Sequence, residues 1–301
     1  MVLSKNKERV STMKTIAKIT SLVMALVLAV ACFAGCSASK SNKVKVIDLA
    51  LSSEEYAFAV SKENGDFLTK VNNFLAKIKD NGTFDKICNN YFGDGEPLSI
   101  ESAKLDATKD QLVVATSTGF EPFEMVDANG KYSGVDLEMA YYLAQELGLE
   151  LVIQDMDFEA VVNSVQSGIC DIGMAGLSVT PDRQKVVTFS NSYYNASQVV
   201  IAMEDDTTFD ECKTGEDVAA ILAELDSSKK IGCQAGTTGE LYIKGDADKG
   251  DEGYGFEGLK AEAAPYKYVA LAITAMQQGQ VSYVIADNGP AKAIATKLNA
   301  Q

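Results

Sequence analysis

Asp171-Ile-Gly-Met-Ala-Gly-Leu-Ser-Val-Thr-Pro-Asp-Arg183 decides how the rest of the chain is read. Asp171–Met174 is a short apolar run with the look of a strand, and Ala175-Gly-Leu-Ser178 is a turn of small residues. Thr180 suits an N-cap and Pro181 the first helical position, so a helix starts here. Amides freed by such a turn face any anion above them, and Arg183 offers a planar fork suited to two carboxylate oxygens. Two readings stay open from this stretch. One is a site for a small carboxylate; the other is a capped surface helix whose Arg183 pairs with a neighbouring glutamate.

The same alternation extends in both directions. Leu112–Ala115, Glu150–Ile153, Val186–Phe189, Gln198–Met203, Lys230–Cys233 and Ser282–Ile285 read as strands. Val135, Met139, Leu143 and Leu147 share one helical face that Asp136 is placed to cap, and 160–166, 215–225, 268–277 and 290–298 also suit helices. Strands alternating with helices give an α/β protein with mostly parallel sheets and ligand chemistry at the strand ends. Gln234-Ala-Gly-Thr-Thr-Gly239 forms a second nest of small residues after a strand. Asp287 closes the strand Ser282–Ile285, where it either meets a ligand or caps the helix that follows.

The chain has 301 residues, 27 basic and 42 acidic side chains, a net charge of −15, six cysteines and no histidine. Without histidine there is no His base, no His-activated nucleophile and no His-ligated metal. The acidic balance disfavours DNA or RNA as a partner. From Met13, two lysines precede an uncharged apolar run that ends in Phe33-Ala-Gly-Cys36. This reads as a secretory signal over residues 1–35, with Cys36 similar to the lipidated first residue of bacterial lipoproteins and 36–43 as its tether. A single membrane-spanning anchor is the alternative, and either places the body on the outer face of the cytoplasmic membrane. Losing residues 1–35 takes the net charge to −19. Cys88, Cys170, Cys212 and Cys233 match no metal spacing and are expected to be buried thiols, with disulfides left open. Asp246 to Asp251 imitates a calcium loop but has Asp251 where glycine is required. No nucleotide fingerprint follows a strand, and no cofactor is expected.

Taken together, Val113 to Glu124, Gly134-Val-Asp-Leu-Glu138, Met156 to Ala160, Asp171 to Arg183, Phe189 to Tyr194, Gly236-Thr-Thr-Gly239 and Ile285-Ala-Asp287 resemble the family-3 extracellular solute-binding proteins, the polar amino-acid receptors of ABC importers. The resemblance implies a two-lobed periplasmic-binding-protein-like fold (type II) with two hinge strands, closing on a free polar amino acid. It implies that Arg183 holds the ligand carboxylate, with amides and hydroxyls around Gly176, Ser178 and Thr238. Asp287 takes the ammonium, Phe120 and Phe158 pack on the side chain, and Gln234 and Thr237 are weaker candidates. The lack of an acid at Ser117 argues for a neutral polar ligand. The implied partners are an importer permease and the membrane, with the chain a monomer. A sensor ectodomain and a small dehydratase-like enzyme using Glu121, Glu124 or Glu159 are the alternatives.

The order of the motifs departs from the family. Tyr56 to Gly65, a helix carrying Phe67, Val71, Phe74, Leu75 and Ile78, and Tyr91-Phe-Gly93 resemble the family's carboxyl-terminal end, yet they come first. A circular permutation is inferred, with 94–110 joining the usual termini, 57–198 forming lobe one, and 44–56 with 199–301 forming lobe two. The rival account is an accidental joining of two receptors, which should give dimers.

Overall fold

A computed structural model describes residues 42–246 and 253–300. The proposed signal, Cys36, most of the tether and the heart of the calcium-like loop lie outside these residues. In chain order the elements are β1 (Val44–Ile47), β2 (Glu54–Tyr56), β3 (Ala59–Ser61), α1 (Gly65–Asp80), α2 (Thr83–Phe92), β4 (Gln111–Thr116), β5 (Met125–Val126), β6 (Tyr132–Ser133), α3 (Val135–Leu147), β7 (Glu150–Asp155), α4 (Phe158–Gln166), β8 (Ile172–Gly173), α5 (Pro181–Val186), β9 (Val187–Phe189), β10 (Tyr194–Ala196), β11 (Gln198–Met203), α6 (Gly215–Ala223), β12 (Lys230–Gln234), α7 (Thr238–Lys244), β13 (Glu262–Tyr266), α8 (Val269–Gln277), β14 (Tyr283–Asp287) and α9 (Asn288–Asn299).

Two five-stranded sheets organise them. In the first, of order β7-β4-β8-β3-β9, β4 runs parallel to β7 and β8, and β3 enters antiparallel between β8 and β9. Both faces are covered, which explains the near-continuous apolar run of β4. Leu112 and Val114 pack with Met139 and Leu143 of α3, while Ala115 faces Val161 and Val165 of α4. The second sheet has the order β1-β11-β14-β12-β13, with β12 parallel to β13 and β14. Val199, Ile201 and Val284 face α8 and α9 on one side; Val200, Ile231 and Ile285 face Val218 and Leu222 of α6 on the other. β1 pairs antiparallel with β11 at the sheet edge, so Val44 lies in the same sheet as Ser282–Ile285 extends into.

The chain crosses between the sheets twice. β2 leads from β1 to β3, β10 leads from β9 to β11, and the two crossing strands pair antiparallel with Tyr56 opposite Tyr194. These are the two hinge strands of a two-lobed α/β fold, and the first and second sheets are the cores of its lobes. Residues 93–110 run along lobe one: Ile100 exchanges backbone hydrogen bonds with Tyr132, and the Ser102 hydroxyl accepts from the N–H of Ile153 at 2.8 Å. At the other junction, the Asn299 side chain accepts from the Val44 N–H and donates to its carbonyl, at 3.0 and 2.7 Å.

Three local expectations need correction. Asp136 does not cap α3; the N-cap is Gly134, and the Asp136 carboxylate is fully buried in other contacts. Strand β13 escaped the sequence reading because Pro265 argues against a ladder, and it is tolerated there on an edge strand. The cysteines among the described residues are free thiols, but only Cys170 and Cys233 are buried, while Cys88 and Cys212 are half-buried.

Candidate ligand-binding cleft

The turn after β8 and helix α5 form the lobe-one wall. Thr180 accepts from the Arg183 N–H as the N-cap, and Pro181 occupies the first turn. Gly176 has φ +53°, and a Cβ there would lie 2.6 Å from the Phe120 ring, so neither the backbone nor the space admits a larger residue. The Gly176 N–H donates to Asp136 at 2.9 Å. That one N–H is therefore spent on the scaffold.

Arg183 reaches from this wall across to lobe two. Its guanidinium donates to the Ser178 carbonyl at 2.7 Å and to the Gly236 carbonyl at 3.1 Å, and it lies 5.1 Å over the Phe158 ring. Among the described residues no carboxylate is seen in an ion pair with it, although the helix that carries it is capped by Thr180 and buries none of its residues. Burial lowers its pKa, opposed by the negative charges of Glu54 and Asp287. Phe158 thus backs the arginine, through a cation–π contact, as much as it lines the cleft. Phe120 is buried among Tyr56 and Phe123, with ring centroids 6.4 and 6.0 Å away, and belongs to the lobe-one core.

The facing wall comes from lobe two. Thr237 spends its hydroxyl on α7 and its approach, accepting from the Glu240 N–H and donating to the Gln234 carbonyl at 2.8 Å. Gln234 is buried with its side-chain oxygen unpartnered among the described residues. Thr238 donates to Glu54 at 2.7 Å and accepts from Gln198 at 3.0 Å. Asp287 stands at the N-cap position of α9 without capping it; its carboxylate instead accepts from the Tyr56 hydroxyl at 2.6 Å. Burial, and then the charge of Glu54, push the Asp287 carboxyl up to about 7. A cavity of about 310 Å³ opens beside Arg183 and is lined by Thr180, Gly236 and Thr238.

Beneath the lobe-one wall lies a second acidic group. Asp136 accepts from the Tyr193 hydroxyl at 2.6 Å and is raised to about 6 by burial, while burial and then Asp136 hold the Glu124 carboxyl well above its usual range. Glu121 forms an ion pair with Lys297 at 2.6 Å, and Glu159 packs against Gly236. Among the described residues no cluster of acidic or cysteine side chains is arranged to hold a metal.

Sequence reasoning missed that Glu54, Tyr56 and Gln198 hydrogen-bond the candidate residues Ser178, Thr238 and Asp287. The signal was present in β2, where Glu54 and Tyr56 alternate inward around an exposed Glu55.

A cleft between two α/β lobes, with Arg183 of α5 on one side and Asp287 at the end of β14 on the other, now has counterparts. The family model described as bacterial extracellular solute-binding proteins, family 3, matches residues 112–280. The chain belongs to that family. Among curated relatives, this family member is 34% identical over 100 residues to the arginine-binding extracellular protein ArtP of Bacillus subtilis, a stretch covering 33% of this chain and 39% of ArtP. The match therefore spans well under two thirds of that relative. Among solved structures, holo ArgBP from T. maritima is similar at 30% identity and a TM-score of 0.51, covering 62% of this chain and 74% of that one. An ancestral amino acid-binding protein described as a precursor of cyclohexadienyl dehydratase is similar at 28% identity and a TM-score of 0.51, covering 63% and 74%.

Proposed function

We propose that this family-3 protein is a membrane-tethered extracellular receptor that closes on a free polar amino acid and delivers it to an ABC importer. The observation that carries the reading is the pairing of Arg183 on lobe one with Asp287 on lobe two, whose negative charge is felt at the buried guanidinium. A guanidinium for the carboxylate and a carboxylate for the ammonium match the two ends of a zwitterion. Low-dielectric walls of Phe120 and Phe158 strengthen both contacts. Arginine in the names of relatives favours a cationic side chain over the neutral one that Ser117 pointed to.

The tether is lipidated Cys36, and the chain is a circularly permuted monomer. Supporting this, the family model begins at residue 112, yet β1 and β3 from the amino-terminal segment complete both sheets. The six residues from Ser37 to Asn42 reach at most about 20 Å, which puts lobe two nearest the membrane. Sedimentation of the full chain should give one-chain mass; a dimer supports the accidental fusion instead.

The test is thermal shift against the twenty amino acids. A thousandfold excess over Kd stabilises by about 4 kcal/mol, and Arg183→Met should erase the shift while the ligand-free protein stays folded. Equal responses of both proteins to the same amino acid would refute the site. The buried Glu124–Asp136 pair and the dehydratase-precursor relative favour a second reading, a small dehydratase-like enzyme. Turnover of a bound ligand, rather than its return intact, supports it.

A further inference from the structure

Ser178 and Thr238 stand on opposite lobes, and both spend their only proton on one side chain. Glu54, on hinge strand β2 and 2% exposed, accepts from Ser178 Oγ at 2.6 Å and from Thr238 Oγ1 at 2.7 Å on the same oxygen. Its second oxygen accepts from the Ser52 hydroxyl at 2.6 Å. A carboxylate only accepts, so each of these hydroxyls must donate to it. A hydroxyl has one hydrogen to donate. Thr238 Oγ1 also accepts from Gln198 Nε2, which leaves it one lone pair. What both hydroxyls still offer to the cleft is acceptor capacity.

An ammonium carries donors and no acceptors, whereas a ligand carboxylate carries the reverse. We infer that Glu54 is a positioning residue which turns Ser178 and Thr238 into acceptors and, with Asp287, makes this end of the cleft a seat for the ligand's ammonium. This deepens the receptor reading above and rests on it. It also reassigns the two hydroxyls, which the family resemblance had allotted to the carboxylate; Arg183 keeps that end. The charge of Glu54 contributes to raising Asp287, so a cation seated at this end relieves the repulsion between them. Tyr56, on the same face of β2 as Glu54, holds Asp287 by its hydroxyl and keeps the second carboxylate in place.

The test is calorimetric titration of the full protein with two ligand pairs. One is L-arginine and 5-guanidinopentanoic acid, which lacks only the α-amino group; the other is L-glutamine and its desamino analogue, glutaramic acid. Glu54→Gln should weaken binding of the amino acid at least about tenfold and change binding of the desamino partner less than about threefold, because only the amino acid uses the seat. Ser178→Ala should show the same split with a smaller loss, and it carries the comparison if Glu54→Gln does not fold. Glu54→Asp should restore part of the amino-acid affinity. Equal losses for both members of a pair, or no loss for either, overturn the inference while leaving the receptor reading standing. Wild-type protein that binds none of the twenty amino acids overturns both.

Discussion

The two walls of the cleft are built differently. Lobe one presents rigid groups: Arg183 lies across Phe158, and Phe120 is wedged over Gly176 against Tyr56 and Phe123. Lobe two presents small ones, Gly236, Thr237 and Thr238 at the start of α7, with Asp287 at the end of β14. Large side chains locked by packing hold a fixed geometry, and small residues let backbone come close. On the proposed receptor reading, one wall would meet the ligand with preset groups, and the other would complete the site as the lobes meet. Contacts such as Arg183 with Gly236 and Lys267 with Asp157, at 2.9 Å, already join the walls.

Breaking the rigid wall should have the largest effect. Arg183→Met removes the main cation and should weaken amino-acid binding by about 100-fold or more in calorimetry, since truncating a buried charge partner costs about 2–5 kcal/mol. Phe120→Ala should lower the unfolding free energy of the ligand-free protein by about 3–5 kcal/mol in a denaturant titration. A loss confined to binding would show that Phe120 is a platform and not core.

On the other wall, Asp287→Asn should cost about tenfold in affinity while making the ligand-free protein more stable at pH 8, because a buried charge is no longer forced. The sign of the pH dependence follows from the raised carboxyls. Asp287 near 7 and Asp136 near 6 bind protons more tightly folded than unfolded. Their contribution to stability is therefore full below about pH 4 and is lost as pH rises through about 6 to 7. Ligand-free melting should show this loss, whereas ligand binding, which needs ionised Asp287, should strengthen over the same interval and release a proton near pH 7. Proton uptake on binding would contradict the ammonium assignment. The smallest effect is Thr237→Ala, which should cost about 1 kcal/mol of stability as a lost cap and change affinity little, since its hydroxyl serves α7.

Much of this was legible in the chain because local chemistry and tertiary role agree. Thr180 and Pro181 start α5 in any context, and Arg183 follows them by one turn. The two hinge strands and the two lobes followed from the family resemblance. What stayed hidden depends on residues distant in sequence. Asp136 reads as a cap but is drawn inward by Gly176 and Tyr193, 40 and 57 positions away. Glu54 reads as one more surface acid in an acidic chain, until the partners that bury it, Ser178 and Thr238, are brought together by folding across 124 and 184 positions. For Thr237 the motif was legible while the capping bond to Glu240 was not.

On the proposed receptor reading, one zwitterion is gripped by Arg183 at its carboxylate and by Asp287 at its ammonium. The crystal structure of the protein with whichever of the twenty amino acids gives the largest thermal shift tests it most directly. Carboxylate oxygens should lie within about 3 Å of the Arg183 guanidinium and the ammonium within about 3 Å of an Asp287 oxygen, with both lobes touching the ligand. A ligand bound end-for-end, or bound outside the cleft with Arg183 still on the Ser178 and Gly236 carbonyls, would contradict it.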